Sequence, residues 1–255
     1  MTPFSQPAGN PEFGNGNNQF SHDLSVSIRE IFFAYDNRSA ENNRSAQRHL
    51  GPSEIGTPCD RRIAYSLSGH RPTNPGGDGY AAWVGTQCHR GMADIYEWAD
   101  GKSGRFDTET PLNFPSKLVP RGTGDLLDRK LRCFIDWKFM GTWSLKSLRD
   151  KGPSPTYRVQ IHTYAYGAAQ RGEKVDRVAI VGMPRQGASL DEMHVWSEPY
   201  DESIARKALT RVAEIGKEMD GGSTPADFDT ADDCRYCPFH LPKSTDLGHA
   251  CCGNK

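Results

Sequence analysis

The run Phe134-Ile135-Asp136-Trp137-Lys138-Phe139 constrains the fold more than any other part of this chain. Alternate side chains of a strand share a face, so Ile135, Trp137 and Phe139 enter a core while Asp136 and Lys138 point together the other way. Taken alone, such an acid and lysine are an ordinary surface ion pair worth little. The preceding run changes that reading. Residues 118–127 form a second expected strand, joined to a strand at 131–139 by the polar turn Asp128-Arg129-Lys130, and across this hairpin Asp125 approaches Asp136. Two neighbouring carboxylates repel unless a divalent cation lies between them, and Mg²⁺ or Mn²⁺ prefers such hard oxygen ligands. Lys138 then stands where it can hold or deprotonate an attacking water.

The rest of the pattern is that of an α/β chain. Leu24, Ile28, Ile31, Phe32 and Tyr35 recur at helical spacing and suggest an amphipathic helix that docks on the body. Ser53 offers an N-cap for a helix over 54–67, residues 69–79 form a Pro- and Gly-rich loop expected to be mobile, and 85–99 reads as helix. Strands are expected at 106–114, 178–183 and 193–196, with helices at 156–170 and from the cap Asp201 to about 219. Residues 1–23 hold no Lys or Arg, and 14 of the 23 are Gly, Pro, Asn, Gln or Ser, so a disordered tail is expected and an export signal is not. Residues 24–51 are then an N-terminal helix and linker, and 52–252 the main domain.

The seven cysteines are odd in number and clustered, with Cys234, Cys237, Cys251 and Cys252 in the last 22 residues, which suggests metal rather than disulfides. With no export signal and no apolar run of membrane-spanning length, a reducing cytoplasm without membrane attachment is the expected setting. The formal net charge of -1 excludes a histone-like basic surface. It conceals a local imbalance: residues 129–158 hold eight Lys or Arg against two Asp, and residues 198–233 hold ten acids against four bases. The basic block surrounds Lys138, where a phosphate backbone could pass.

Gly122-Thr123-Gly124-Asp125 followed by Asp136-Trp137-Lys138 resembles the G-x-x-D…(D/E)-x-K core of the PD-(D/E)XK nucleases, and more closely their RecB-like branch. Gly85-Thr86-Gln87-Cys88-His89 is similar to the branch's helix histidine, and Gln160-Ile161-His162-Thr163-Tyr164 to its Q-x-x-x-Y helix motif. Cys59 in Pro58-Cys59-Asp60-Arg61-Arg62, with Cys234, Cys237 and a final cysteine, resembles the iron–sulfur clasp of AddB-type and CRISPR-associated RecB-like exonucleases. The last gap, 13 or 14 residues, is longer than the family's, which leaves the fourth ligand between Cys251, preferred, and Cys252. Cys88 and Cys133 read as buried small hydrophobes, and His162 and His194 as structural or surface residues.

The resemblance implies a restriction-endonuclease-like α/β core, a central mixed sheet flanked by helices, with a cysteine clasp joining its N- and C-terminal parts. It implies that His89, Asp125, Asp136 and the Trp137 carbonyl ligate Mg²⁺ or Mn²⁺, that Lys138 handles the water, that Gln160 and Tyr164 orient the site, and that Cys59, Cys234, Cys237 and Cys251 hold a 4Fe-4S cluster. The implied activity is exonucleolytic hydrolysis of single-stranded or frayed DNA, commonly 5′ to 3′, in recombination, replication or repair. A helicase or recombination partner would supply unwinding, and a free-standing, phage-type enzyme fits the absence of fused domains. Two alternatives stand beside it. One is a catalytically silent DNA-binding subunit; the other is a C-terminal zinc site drawn from Cys234, Cys237, His240, His249, Cys251 and Cys252.

Overall fold

The apolar alternation of residues 106–139 folds into a meander, and the buried run at 178–181 adds a parallel strand beside it. The structure, a computed structural model, describes residues 14–42, 49–74, 79–231, 234 and 236–253. In chain order its elements are α1 (Gly14–Asn42), α2 (Asp60–Leu67), α3 (Tyr80–Asp100), β1 (Phe106–Asn113), β2 (Arg121–Asp128), β3 (Cys133–Met140), α4 (Thr142–Lys151), α5 (Pro155–Gln170), β4 (Arg177–Pro184), β5 (His194–Pro199) and α6 (Glu202–Asp220). They form an α/β fold whose five-stranded mixed sheet has the order β1-β2-β3-β4-β5.

β1, β2 and β3 pair antiparallel, as short connections require, and β3 pairs parallel with β4 through a helical crossover made of α4 and α5. β5 closes the edge antiparallel to β4. Asp128 fastens the β2–β3 turn. Its carboxylate accepts the Lys130 and Leu131 amides at 3.0 and 3.1 Å and a two-pronged Arg105 guanidinium at 3.0 and 2.6 Å. One sheet face packs Phe134, Val178 and Ile180 against Ile161, Tyr164 and Ala165 of α5. The other packs Leu126, Trp137, Val181 and Met183 against Met92 and Tyr96 of α3. Asp136 and Lys138 therefore stand on the α5 side, Trp137 on the α3 side.

The C-terminal tail folds back on α2. Arg61 donates to the Phe228 and Ala226 carbonyls at 3.1 and 3.0 Å, Asn74 donates to the Cys237 carbonyl at 3.0 Å, and the Tyr65 ring stacks on Phe239 at 5.2 Å. These contacts join the tail to the α2 region. The loop expected to be mobile is tethered on one side, since the Thr73 and Asn74 amides donate to the Pro238 carbonyl at 2.9 and 2.8 Å. Residues 75–78 lie outside the described residues.

Three expectations need correction. Residues 14–23 of the expected disordered tail are the first turns of α1, and residues 1–13 lie outside the described residues. Extending an existing helix adds a backbone hydrogen bond for each residue fixed, a gain that composition does not count. α1 belongs to a unit of its own, Met1–Ala46, and its Leu24, Ile28, Ile31 and Tyr35 side chains are exposed rather than buried along one face. The helix expected from residue 54 begins at Asp60, because Pro58 lacks a donor and disfavours helix at the residue before it. Cys59 is the N-cap in place of Ser53, its sulfur accepting the Arg62 amide at 3.4 Å. α4 had no expected counterpart: only Leu145 and Leu148 are buried, and no side chain caps its start.

Candidate active site

The site forms where β2 and β3 part. Their ladder runs Asp128↔Cys133, Leu127↔Phe134, Leu126↔Ile135, and one further step along this register sets Asp125 opposite Asp136. There the ladder gives way to a side chain: Asp125 Oδ2 accepts the Trp137 amide at 2.7 Å. Gly124 permits this approach, because a Cβ at that position would lie 2.5 Å from the Phe134 ring.

On the outer side, α3 presents His89, whose Nδ1 lies 3.3 Å from Asp125 Oδ2 and whose ring meets Phe139 edge-on at 5.6 Å. The hydrogen bond to Asp125 raises the histidine pKa against the opposing effect of burial. β1 adds a residue that the sequence reading missed. Thr108 pairs with Leu126 and Thr110 with Gly124, which leaves Glu109 opposite Asp125 with a left-handed φ of 45°. His89, Glu109 and Asp125 each offer a ligand atom, all within 4.8 Å of one another. Desolvation among its neighbours raises the carboxyl pKa of the exposed Glu109, and the Asp125 charge raises it further. An acid in the strand before the hairpin was the available signal, readable once the β1–β2 register is written out.

On the inner side, Asp136 is 1% exposed, and neither of its oxygens receives a well-directed hydrogen bond. Lys138 Nζ forms an ion pair with Oδ2 at 2.7 Å. Burial raises the Asp136 pKa, Lys138 opposes the rise, and Asp125 reinforces it. A buried carboxylate opposite a second carboxylate is the donor chemistry of a divalent-cation site. Lys138 Nζ also sits 4.9 Å above the Tyr157 ring. From α5, Gln160 donates to the Tyr164 hydroxyl at 2.9 Å, both residues buried. Burial raises the Tyr164 pKa, and among the smaller causes are the charges of Asp136, Asp125 and Glu109.

Of the cysteines, Cys59, Cys234, Cys237 and Cys251 all border one cavity of about 70 Å³, with Arg61 and His240. One water needs only about 10–15 Å³ of such space. Cys252 and His249 are not on this lining, and Cys59 is. Four donors of the tail-only zinc alternative, Cys234, Cys237, His240 and Cys251, share this lining with Cys59. The Cys59 and Cys251 sulfurs accept the Arg62 and Gly253 amides, both at 3.4 Å, as suits anionic sulfur. Among the described residues, no three of these side chains bring ligand atoms within 4.8 Å of one another, whereas four sulfurs on one tetrahedral zinc at about 2.3 Å would. Thiolates and a histidine on one cavity are the donor chemistry of either a single thiophilic ion or a cluster. Cys133 is buried and Cys88 half-buried, both away from this cavity. His162 is structural: its Nδ1 accepts the Asp201 amide at 3.1 Å, and Nε2 donates to Glu198 at 2.7 Å.

Residues 121–241 match the PD-(D/E)XK nuclease superfamily. The matched segment holds Asp125, Asp136, Lys138, Gln160, Tyr164, Cys234 and Cys237; His89 and Glu109 precede it, and Cys251 follows. Solved structures similar to the chain include that of SSO0001, at 18% identity, 83% of this chain, 94% of that chain and a TM-score of 0.48. An alkaline exonuclease from Laribacter hongkongensis is similar at 14% identity, 75% and 93% coverage and a TM-score of 0.45. A phage related exonuclease from Haemophilus somnus is similar at 13% identity, 63% and 78% coverage and a TM-score of 0.44. No curated protein matches the chain in sequence. No helix among the described residues is long and apolar enough to cross a membrane.

Proposed function

We propose that this chain is a divalent-metal-dependent deoxyribonuclease, acting as an exonuclease on single-stranded DNA in the 5′ to 3′ direction. The observation that carries the hydrolytic reading is the convergence of His89, Glu109 and Asp125 beside the register position of Asp136, a buried carboxylate paired with the Lys138 ammonium at 2.7 Å. His89, Glu109, Asp125, Asp136 and the Trp137 carbonyl would hold Mg²⁺ or Mn²⁺, which would supply Lewis acidity toward a phosphate oxygen and a better water nucleophile at neutral pH. Lys138, steadied by Asp136 and the Tyr157 ring, orients the attacking water and faces the charge that grows on the phosphate. The water oxygen bonds to phosphorus and gives up a proton to solvent, the P–O ester bond breaks, and the leaving oxygen takes up a proton from solvent. Asp125 has a second task, holding β3 at the site through the Trp137 amide. Because the Tyr164 hydroxyl accepts from Gln160, its own O–H is left to donate toward the carboxylates or the strand.

The same reading assigns Cys59, Cys234, Cys237 and Cys251 to a 4Fe-4S cluster that reinforces the contact of the tail with α2, supported by their shared cavity and the amides on two of the sulfurs. Anaerobically purified protein should be brown and carry equivalent iron and labile sulfide. Colourless protein with stoichiometric zinc would overturn the cluster. For the activity, 5′- and 3′-labelled strands and duplexes are incubated with Mg²⁺, Mn²⁺ or chelator. Metal-dependent shortening of the single strand from its 5′ end is expected. Intact DNA under every condition, with binding retained, would favour the silent subunit.

A further inference from the structure

The groove of about 640 Å³ in front of the candidate metal site is lined by four acids and a single arginine. Asp94, Glu97, Glu109 and Asp125 would each repel a phosphate strand drawn to the metal. Arg90 is solvent-exposed on the same lining, and among the described residues its guanidinium has no ion-pair or hydrogen-bond partner. Resting on the nuclease reading, we propose that Arg90 anchors a phosphate of the bound strand, the one next to the phosphate at the metal.

Three features support the assignment. His89 and Arg90 are adjacent on α3, so their Cα atoms are only about 3.8 Å apart while their side chains leave the helix about 100° apart. With His89 turned to Asp125 at 3.3 Å, Arg90 reaches the groove beside the metal ligands rather than among them, which suits a neighbouring phosphate and not the one under attack. Asp94 stands four residues on, at the spacing of a helical ion pair, yet among the described residues no ion pair joins the two. The guanidinium thus keeps its full set of donors, a planar fork that matches two oxygens of a phosphate. Arg90 is also the one side chain of this lining that is positive at every working pH, since His89 is neutral when it ligates a metal. Attraction for phosphate is therefore concentrated beside His89, and Asp94 and Glu97, further along α3, repel the strand from the other end of the groove. The anchor touches backbone alone, so it fixes the position of the strand and is indifferent to its bases.

The test is fluorescence anisotropy of a dye-labelled oligothymidylate over a range of salt, in chelator so that it stays intact, with its linkages replaced one at a time by a neutral methylphosphonate. Arg90→Ala should weaken binding of the natural strand about tenfold, the lower end for a hydrogen bond to a charged group, because the contact is solvent-exposed. The slope of log affinity against log salt should fall by about 0.7, the value of one single-strand phosphate contact. In wild type one methylphosphonate position should cost as much as the substitution does, and in Arg90→Ala that position should cost nothing further. Arg90→Lys, which keeps the charge but not the fork, should keep the salt slope and recover part of the affinity. In Mn²⁺, single-turnover cleavage by Arg90→Ala should lose efficiency through a half-saturating concentration about tenfold higher rather than through its maximal rate. An unchanged melting temperature in chelator, expected because Arg90 holds no other described residue, shows that the variant is folded. Wild-type affinity and salt slope in Arg90→Ala, or an undiminished methylphosphonate penalty, would overturn the anchor. So would a loss confined to the maximal rate. Arg90-dependent binding by a wild type that cleaves nothing would sustain the anchor and sink the nuclease reading. Cleavage by wild type with binding indifferent to Arg90 would do the reverse.

Discussion

Replacing Asp136 by Asn should make the metal-free protein more stable at neutral pH. Burial moves this carboxyl from its ordinary 3.8 up to about 6. At 1.36 kcal/mol per pKa unit, the ionised form therefore costs folding about 3 kcal/mol at pH 7. The buried asparagine amide will not find every partner it needs, which reduces the gain to about 1–3 kcal/mol. For a chain of this length each kcal/mol moves Tm by about 2–4 °C, so the variant should melt roughly 2–12 °C higher in chelator. The sign with pH follows from the raised pKa. The penalty is fully present above about 6 and absent below the unfolded value near 4, so the gap between variant and wild type should close as pH falls from 7 to 4. Melting followed by circular dichroism in chelator, at both pH values and then with Mn²⁺, reads all of this. Mn²⁺ should stabilise wild type and not the variant. A variant that melts lower at pH 7, or a gap that persists at pH 4, would refute the reasoning.

Gly124→Ala drives a Cβ into the buried Phe134 ring and should cost about 1–3 kcal/mol, lowering Tm and, by displacing Asp125, the cleavage rate; an unchanged Tm would contradict the packing. Glu109→Gln should weaken Mn²⁺ binding in calorimetry at least tenfold while leaving the fold's Tm in chelator nearly unchanged, and undiminished affinity would remove Glu109 from the ligand set. Asp128→Asn breaks the two-pronged Arg105 pair and should cost about 2 kcal/mol in urea unfolding at pH 7. Burial alone would raise the Asp128 pKa, but hydrogen bonds from Arg105 and the turn amides hold it low. Its stabilisation is therefore present above the unfolded value near 4 and lost as pH falls through the lower folded one, so variant and wild type should converge in acid.

The meander and its acids were legible because their information is local: alternation over eight residues and a short turn bring Asp125 and Asp136 together. β4 was legible for the same reason, as a short buried run. Cys59 and Cys234 are separated by most of the chain, and nothing local joins them; the pairing came from the resemblance, and the fold places both on one cavity. Glu109 escaped notice because its position depends on a left-handed backbone and on a register between two strands, neither of which its neighbours in sequence announce. The start of α2 was missed because Pro58 outweighs the capping signal of Ser53, and α4 because tertiary contact rather than pattern holds it.

Single-turnover cleavage of labelled single-stranded DNA in Mn²⁺ by wild type and Lys138→Ala tests the central claim most directly. Lys138 pairs with the buried Asp136 carboxylate and is not itself a candidate ligand. Cleavage should fall by about 10²–10⁴-fold, with strand affinity in chelator and the melting rise on Mn²⁺ retained. Cleavage by Lys138→Ala at the wild-type rate would contradict the account.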